Sequence, residues 1–208
     1  MVEMADLAMF DSAVSLTVGA PVCGIDEAGR GPLAGAVFAA AVVFSDGFSL
    51  PGVNDSKKLS AKKREALFDS ICDVALSFSI ATASVAEIEE LNILNASMLA
   101  MRRAYDGLSL CPPLILIDGT TVRYFDALPV RTVVKGDSIS QSIAAASILA
   151  KVSRDRAMLA LDKLYPQYGF AKHKGYGTAA HIAAILEHGP CPEHRSLFLR
   201  KICGGEAL

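Results

Sequence analysis

The stretch PVCGIDEAGRGPLAGAVFAAAVVF, residues 21–44, decides the fold of this chain. Residues 21–27 form an apolar run that ends in the acidic pair Asp26–Glu27, and a second apolar run extends over residues 36–44. Between them, several glycines from Gly29 to Gly35 interrupt the pattern. Two apolar runs around a glycine-rich break predict a β-hairpin. The first strand of this hairpin would carry two carboxylates at its end.

Helical and strand patterns alternate downstream of the hairpin. A helical pattern begins at Ser60, and alternating large and small side chains over residues 75–83 predict a half-buried strand. The S-x-x-E sequence at Ser84 is a capping box, which predicts the start of a second helix. We expect a break in this helix over residues 92–95 and a C-terminal stop at Gly107.

The second half of the chain continues the alternation. Short apolar strands are predicted over residues 114–117 and 130–134, and an S-x-x-Q capping box at Ser138 predicts the start of a long helix. A final helix is predicted over residues 178–188. Strands that first form a hairpin and then alternate with helices indicate an α/β fold with a mixed sheet.

Length and composition predict one globular domain. The chain has 208 residues, of which 52% are hydrophobic, so a sizeable core can form. We expect residues 1–17 to be an N-terminal extension of uncertain order and residues 18–208 to be a single domain.

The charge and cysteine content restrict the partners and the compartment. Twenty basic and 22 acidic residues give a net charge of −2, so a nucleic-acid partner would need a local basic patch. Apolar runs are too short to span a bilayer and the acidic N-terminus does not fit a secretory signal, so we expect a soluble protein without a membrane partner. Five widely spaced cysteines fit a reducing compartment, and we predict a cytoplasmic protein.

Three of the predicted strands end in acidic residues. These are Asp26–Glu27, Asp118 and Asp137. Because ligands bind at the carboxyl ends of strands in open α/β sheets, these side chains are candidates for a shared site. Gathered carboxylates repel one another unless cations balance their charge. Mg²⁺ and Mn²⁺ prefer oxygen ligands, and two such ions, about 4 Å apart, can clamp a phosphodiester.

Two observations leave the shared site open at this point. Consecutive residues on a strand point to opposite faces, so Asp26 and Glu27 can share a site only if the strand ends or bulges between them. Asp137 also precedes a predicted helix, where a carboxylate is favourable without any metal.

Six segments, taken in chain order, resemble the ribonuclease HII family. They are GIDEAGRGPLAG (24–35), DSKKL (55–59), LIDG (116–119), VKGDS with AASILAKV (134–138 and 145–152), HKGYGT (173–178) and GPCP (189–192). The resemblance covers roughly residues 20–200. It implies a ribonuclease H-like α/β fold, which is a five-stranded mixed sheet flanked by helices, with a C-terminal helical part.

The resemblance also implies an activity and its cofactors. It identifies four metal-binding catalytic carboxylates, which are Asp26, Glu27, Asp118 and Asp137. The implied enzyme is a metal-dependent endoribonuclease with two divalent ions, Mn²⁺ or Mg²⁺. It would hydrolyse the RNA strand of RNA–DNA hybrids and cut 5′ of ribonucleotides embedded in duplex DNA, leaving 3′-hydroxyl and 5′-phosphate ends. Such an enzyme would remove ribonucleotides during replication and repair. We expect a monomer that needs no small-molecule cofactor.

The same resemblance assigns the substrate-binding residues. The turn formed by Gly29, Arg30 and Gly31 would recognise the ribonucleotide, because glycines let backbone amides approach the sugar and its 2′-hydroxyl. Lys57 would contact a phosphate. Tyr176 would pack on the neighbouring deoxyribose, where an additional hydroxyl fits less well.

Three other functions remain as alternatives. A non-catalytic nucleic-acid-binding module with a degenerate metal site would keep the fold without cleavage. An oxidoreductase could use residues 29–34, which fit the dinucleotide-binding pattern G-x-G-x-x-A. A zinc site could use a set of histidines and cysteines, although their spacing is not that of a standard zinc finger. This set is His188, Cys191, His194 and Cys203.

Overall fold

The structure is a computed structural model in which residues 7–200 are described. Its centre is a five-stranded sheet with the strand order β3-β2-β1-β4-β5. The strands are β1 (Cys23–Ala28), β2 (Val37–Val43), β3 (Ser77–Ala83), β4 (Ile115–Asp118) and β5 (Val130–Val133). β1 pairs antiparallel with β2 and β2 with β3, whereas β1 with β4 and β4 with β5 are parallel pairs. The predicted hairpin and the mixed five-stranded sheet are therefore confirmed.

Helices cover both faces of the sheet. They are α1 (Leu7–Val18), α2 (Ala61–Val74), α3 (Val85–Leu91), α4 (Ile93–Asp106), α5 (Gln141–Leu164), α6 (Phe170–His173), α7 (Ala179–His188) and α8 (Ser196–Leu199). α4 packs on one face, where Ile25 and Met101 belong to one buried cluster. α2 and α5 pack on the other face, where Val42 and Leu149 belong to a second cluster. Within residues 7–200, none of these helices combines the length and hydropathy needed to cross a bilayer.

The approach of α5 to the sheet depends on a glycine in β1. A Cβ atom placed on Gly24 would lie 2.2 Å from the backbone carbon of Ser142 at the start of α5. Any side chain at this position would therefore push the helix away from the strand. Since Asp26 follows two residues later on the same strand, this contact places the first carboxylate beside α5.

The C-terminal helical part joins the rest of the molecule through a third buried cluster. Leu33 from the segment between β1 and β2 and Met158 from α5 pack there with Phe170, Ile185 and Leu199. This core therefore includes residues from three distant parts of the chain.

Most helix ends follow the predicted signals. The side chain of Ser60 caps α2, Ser84 and Glu87 form the predicted capping box of α3, and Gly107 ends α4. Asn92, with a φ of 66°, separates α3 from α4, which confirms the expected break.

The predicted capping box at Ser138 is wrong. Residues Gly136–Ser138 form a 3₁₀ turn, and α5 begins only after Ser140, whose side chain accepts a hydrogen bond from the amide of Ile143. The physical reason is that the 3₁₀ turn uses Ser138 within its own backbone bonding, since the Ser138 amide donates to the Lys135 carbonyl.

The strand β3 is half-buried as predicted, but its buried face carries small residues. Ser77 and Ala83 are buried, whereas Phe78 is 38% exposed. β3 lies at the edge of the sheet, and the Ser77 hydroxyl is hydrogen-bonded to Ser109 just beyond α4. The tight packing on the α4 side therefore selects small side chains.

The expected N-terminal extension is helical where the structure describes it. Residues 7–18 form α1, and the Asp11 carboxylate accepts hydrogen bonds from the Ser142 amide (2.8 Å) and hydroxyl (2.7 Å). α1 is thus attached to the start of α5. The remaining part of the extension, residues 1–6, and Cys203 lie outside the described residues.

Candidate active site

Three strand ends that carry carboxylates meet at one edge of the sheet. β1 and β4 run parallel, with Ile25 opposite Ile117. Asp26 and Asp118 are the next residues on the two strands, so they lie side by side. β5 lies beside β4, and Asp137 stands in the 3₁₀ turn that follows β5. Parallel neighbours end on the same side of a sheet, which is why residues more than 90 positions apart come together here.

Asp26 and Glu27 both lie beside Asp118, although they are consecutive on a strand. The pairing of β1 with β2 continues through both residues, while the pairing of β1 with β4 stops at Ile25. The strand therefore ends on its β4 side only. The charge of Asp118 acts on both Asp26 and Glu27. The two side chains therefore meet the third carboxylate at the point where β1 is no longer paired with β4.

Asp26 is the most strongly perturbed of these acids. It is 5% exposed, and burial raises its pKa well above the ordinary value, with further increases from the charges of Glu27 and Asp118. A hydrogen bond from Ser147 of α5 and one from the Glu27 amide to Oδ1 (2.7 Å) act in the opposite direction. These two hydrogen bonds do not offset burial and the neighbouring charges, so the pKa of Asp26 stays raised.

Glu27 has a partner of opposite charge but is still perturbed. Burial raises its pKa, and the guanidinium of Arg30, whose Nη1 lies 3.3 Å from Oε1, lowers it. The charge of Asp118 adds to the increase. Since Arg30 is half exposed, a substrate or cation that approached Glu27 could replace it.

Asp137 is the fourth carboxylate and is paired with a lysine. Burial raises the pKa of Asp137, and the charges of Asp55 and Asp118 raise it further, while Lys57 lowers it. The Nζ of Lys57 lies 3.7 Å from Oδ2 of Asp137. Burial opposes the charged form of Lys57, but the charges of Asp137, Asp26 and other acids raise the pKa of this lysine overall.

The four carboxylates supply suitable oxygen donors, but their present partners are protein groups. Within residues 7–200, no three His, Cys, Asp or Glu side chains are gathered as a ready-made metal site. Oδ1 of Asp118 accepts the Gly136 amide at 2.7 Å, and the other three carboxylates have the partners described above. Carboxylate oxygens fit hard cations such as Mg²⁺. Shared coordination would replace the present contacts of Glu27 with Arg30 and of Asp137 with Lys57.

A cavity of about 220 Å³ lies next to these acids. Glu27, the Gly29–Gly31 turn, Lys57 and Tyr176 all line it, so the predicted substrate-binding residues surround one space. Tyr176 is 46% exposed, and a Cβ at Gly31 would lie 3.7 Å from Cε1 of its ring. The tyrosine ring thus faces the glycine turn. A smaller cavity of about 120 Å³ lies on the Asp118 side of Glu27.

Four polar or charged residues of the cavity wall were not predicted. Two lie on the same face of α5 as Ser147, and these are Lys151 and Arg154; the others are Ser56 and Ser147 itself. Their spacing of four and three residues along a helix was a usable signal. Arg154 is almost fully buried. In the structure its Nη2 donates to the carbonyls of Lys174 (2.9 Å) and Ala34 (3.3 Å).

The structure argues against the dinucleotide and zinc alternatives through the partners of their residues. The segment 29–34 leads into strand β2, whereas a dinucleotide site needs a helix at that position. The Nε2 atoms of His194 and His181 lie 3.0 Å apart. Nδ1 of His194 accepts a hydrogen bond from the amide of Cys191. Both ring nitrogens of His194 are therefore engaged by protein groups.

Comparisons with known proteins agree on one family. The family model described as ribonuclease HII matches residues 23–201. The chain is 55% identical over 198 residues to ribonuclease HII of Shewanella sp. (strain MR-7), covering 93% of this chain and 91% of that protein. It is 56% identical over 180 residues to ribonuclease HII of Burkholderia mallei (strain SAVP1), covering 86% and 84%.

The fold comparison gives the same result. The crystal structure of ribonuclease H2 from Pyrococcus horikoshii OT3 is similar, with a TM-score of 0.71 and 27% identity. The match covers 88% of this chain and 96% of that one.

Proposed function

Because this chain belongs to the ribonuclease HII family, which indicates ribonuclease H activity, we propose that it is a metal-dependent endoribonuclease. In this proposal it hydrolyses the RNA strand of RNA–DNA hybrids and cuts 5′ of ribonucleotides embedded in duplex DNA. The products carry 3′-hydroxyl and 5′-phosphate ends. The observation that carries the proposal is the meeting of four acidic side chains at one sheet edge, beside a cavity lined by cationic residues.

The catalytic residues in this proposal are Asp26, Glu27, Asp118 and Asp137. Together they hold two divalent ions, Mg²⁺ or Mn²⁺, which when bound activate the attacking water and stabilise the leaving oxygen. The carboxylates supply four negative charges, and burial with mutual repulsion makes these charges unfavourable without cations. Lys57, 3.7 Å from Asp137, is the protein cation that can turn to a substrate phosphate.

Sugar recognition in this proposal uses the two sides of the cavity. At the Gly29–Gly31 turn, backbone groups can approach a 2′-hydroxyl closely, and this hydroxyl is the group that distinguishes RNA from DNA. Arg30 lies in the same turn, beside Glu27. The half-exposed ring of Tyr176 faces the turn and would pack on the next sugar, where a deoxyribose fits best.

The cellular role follows from this specificity. An enzyme that cuts beside single ribonucleotides in DNA would begin their removal during replication and repair. We place this activity in the cytoplasm, in a monomer that works without a small-molecule cofactor. A non-catalytic nucleic-acid-binding module remains the alternative, and it predicts binding without cleavage.

The first test is cleavage of a DNA duplex that contains one ribonucleotide. We expect cleavage with Mg²⁺ or Mn²⁺ and none after chelation by EDTA. Asp118→Asn should reduce the rate to below about 1% of the wild-type rate, because a metal ligand is lost. Asp46→Asn is the matched control, since it makes the same change of charge at an exposed position and should retain full activity. Cleavage without metal, or a fully active Asp118→Asn variant, would overturn the site assignment.

The second test addresses the sugar beyond the scissile position. Tyr176→Ala should lower kcat/KM at a single embedded ribonucleotide by about 10-fold or more, which corresponds to about 1.4 kcal/mol. Tyr176→Phe keeps the ring and should stay close to wild type. Unchanged cleavage of this substrate by Tyr176→Ala would contradict the sugar-packing role.

A further inference from the structure

Three segments that are distant in sequence are linked by backbone hydrogen bonds, all of which involve residues 33–35. The Leu33 amide donates to the Gly175 carbonyl, the Gly35 amide to the Glu193 carbonyl and the Arg195 amide to the Leu33 carbonyl, each at 2.8 Å. The segment around residue 33 continues from the Gly29–Gly31 turn, and Gly175 precedes Tyr176. Residues 33–35 are therefore bonded through their backbone both to Gly175 and to the segment 193–195.

Arg195 bonds directly to the glycine turn. Its side chain is fully buried and donates from Nη2 to the carbonyls of Gly29 (2.7 Å) and Gly35 (2.6 Å). Nη1 donates to the carbonyls of Arg30 (3.1 Å) and Pro32 (2.9 Å), and Nε donates to Gly35 (2.9 Å). A planar guanidinium with five donors thus holds one curved stretch of backbone in a single shape.

Two buried histidines reach the other side of the cavity. Nδ1 of His181 lies 2.9 Å from the Tyr176 carbonyl, which only accepts, so Nδ1 carries the proton. Nε2 of His181 is then an acceptor for the Nε2 proton of His194 at 3.0 Å. Nδ1 of His194 accepts the amide of Cys191 at 2.9 Å. The three hydrogen bonds therefore all run in one direction, from Cys191 through His194 and His181 to the Tyr176 carbonyl.

The surroundings keep both histidines neutral and fixed. Burial lowers the pKa of His181, and burial together with His181 lowers the pKa of His194 to about 4. The His173 ring stacks on His181 with a centroid distance of 4.3 Å, and the Phe170 ring lies 5.4 Å away on an edge contact. Neutral rings with defined tautomers preserve the hydrogen-bond chain at ordinary pH.

We propose that His181, His194 and Arg195 form a positioning unit that determines the preference of the enzyme for a ribonucleotide followed by a deoxyribonucleotide. The unit holds the Gly29–Gly31 turn and Tyr176 at one separation, so that two successive sugars are recognised together. This inference rests on the proposed function, in which the turn meets the ribose and the tyrosine meets the next sugar. His181 and Arg195 are fully buried, so they act through these two elements and do not touch the substrate.

The size of the expected effect follows from the precision that recognition requires. Small misplacements of a substrate-positioning group can cost up to about 100-fold in rate. Loss of the unit should therefore affect the junction substrate, which needs both elements, more than a continuous RNA–DNA hybrid. The diagnostic quantity is the ratio of kcat/KM for a single-ribonucleotide duplex to kcat/KM for a continuous hybrid.

The test compares two substitutions of His181 that differ in which ring nitrogen they replace. In His181→Asn, the side-chain amide can occupy the place of Nδ1 and still donate to the Tyr176 carbonyl. In His181→Gln, the side-chain amide reaches the place of Nε2, and the hydrogen bond to the Tyr176 carbonyl is lost. We expect His181→Gln to lower the ratio at least about 5-fold and His181→Asn to keep it within about 2-fold of wild type.

A purely structural role for the histidine makes a different prediction. Both variants would then lower kcat/KM for the two substrates equally, in proportion to their loss of thermal stability, and the inference would be overturned. Arg195→Lys is the second variant, because it keeps the charge but loses the fork. It should lower the ratio through a higher KM for the junction substrate, and an unchanged ratio in a folded Arg195→Lys protein would also overturn the inference.

The Tyr176→Ala variant separates this inference from the proposed function. If Tyr176→Ala lowers the ratio and His181→Gln does not, the positioning unit fails while the sugar-packing role stands. If neither variant changes the ratio, both are wrong. In a Tyr176→Ala background, His181→Gln should have no further effect on the ratio, because the element that it positions is already absent.

Discussion

At the scale of single residues, burial favours the neutral form of both acids and histidines in this molecule. It raises the pKa of Asp26 and lowers the pKa of His194, so that the neutral form is favoured in both cases. The consequences differ. Neighbouring acids make Asp26 a position that a cation would stabilise, whereas neutral His194 already has partners for both ring nitrogens.

The lowered pKa of His194 predicts a dependence of stability on pH. Because the unfolded chain binds this proton more readily, with a pKa near 6.5, the contribution of neutral His194 is complete above about pH 6.5. It is lost as the pH falls towards about 4. The full loss is of the order of 3 kcal/mol. His194→Gln cannot take up the proton, so its free energy of unfolding should fall less than that of wild type between pH 7 and pH 4.5.

Urea denaturation at several pH values measures this difference. His181, His173 and Cys191 face His194, and burial also raises the pKa of several carboxylates, so the comparison is between variant and wild type at each pH. His188→Gln, a change at an exposed histidine, is the control and should follow the wild-type curve. Equal pH dependence in His194→Gln and wild type would show that His194 is not held neutral by the fold.

At the scale of elements, helix α5 connects the sheet with the cavity wall. It contacts β1 closely at Gly24 and presents Ser147, Lys151 and Arg154 to the site. Its start determines the position of these side chains along the sheet. This start lies after Ser140, two residues later than the capping signal in the sequence indicates.

The position of this helix start is testable by a pair of serine substitutions. Ser140→Ala removes the acceptor for the Ile143 amide and should lower the free energy of unfolding by about 1–2 kcal/mol. Ser138→Ala, in the preceding 3₁₀ turn, should change it by less than about 0.5 kcal/mol. Chemical denaturation measures both values. A larger loss for Ser138→Ala would place the cap where the sequence pattern suggested.

At the scale of the whole molecule, the C-terminal helical part shares a buried cluster with α5 and with the segment between β1 and β2. Ile185 of α7 is 2% exposed and belongs to the cluster that contains Leu33 and Met158. Unfolding of the C-terminal part would expose side chains of α5 and of the segment that follows β1. We therefore expect the described part of the chain to unfold as one cooperative unit.

Substitution of neighbouring residues in α7 tests this expectation. Ile185→Ala should lower the free energy of unfolding by about 2–4 kcal/mol because a buried side chain leaves a cavity, and the transition should stay single by circular dichroism and calorimetry. Leu186→Ala is the control, since Leu186 is 65% exposed and should cost less than about 0.5 kcal/mol. Two separate transitions in Ile185→Ala would identify the C-terminal part as an independent unit.

The sequence by itself determined most of the helices and strands, because local signals mark where they begin and end. The apolar runs around Gly29–Gly35 predicted the hairpin, and the serines at 60 and 84 predicted helix starts that the structure confirms. The acids at three strand ends, with the order of family motifs, predicted which side chains meet. Such patterns are readable because periodicity, capping and strand ends depend on neighbours within a few residues.

Only the tertiary structure decided which distant groups bond to one another. The pairing of β1 stops on its β4 side and continues on its β2 side, which lets Asp26 and Glu27 both lie beside Asp118. Arg195 bonds to the carbonyl of Gly29, 166 positions earlier, and His181 bonds to His194. No local pattern encodes these partners, because burial of a polar group is settled by whichever donors and acceptors the packed core brings within reach.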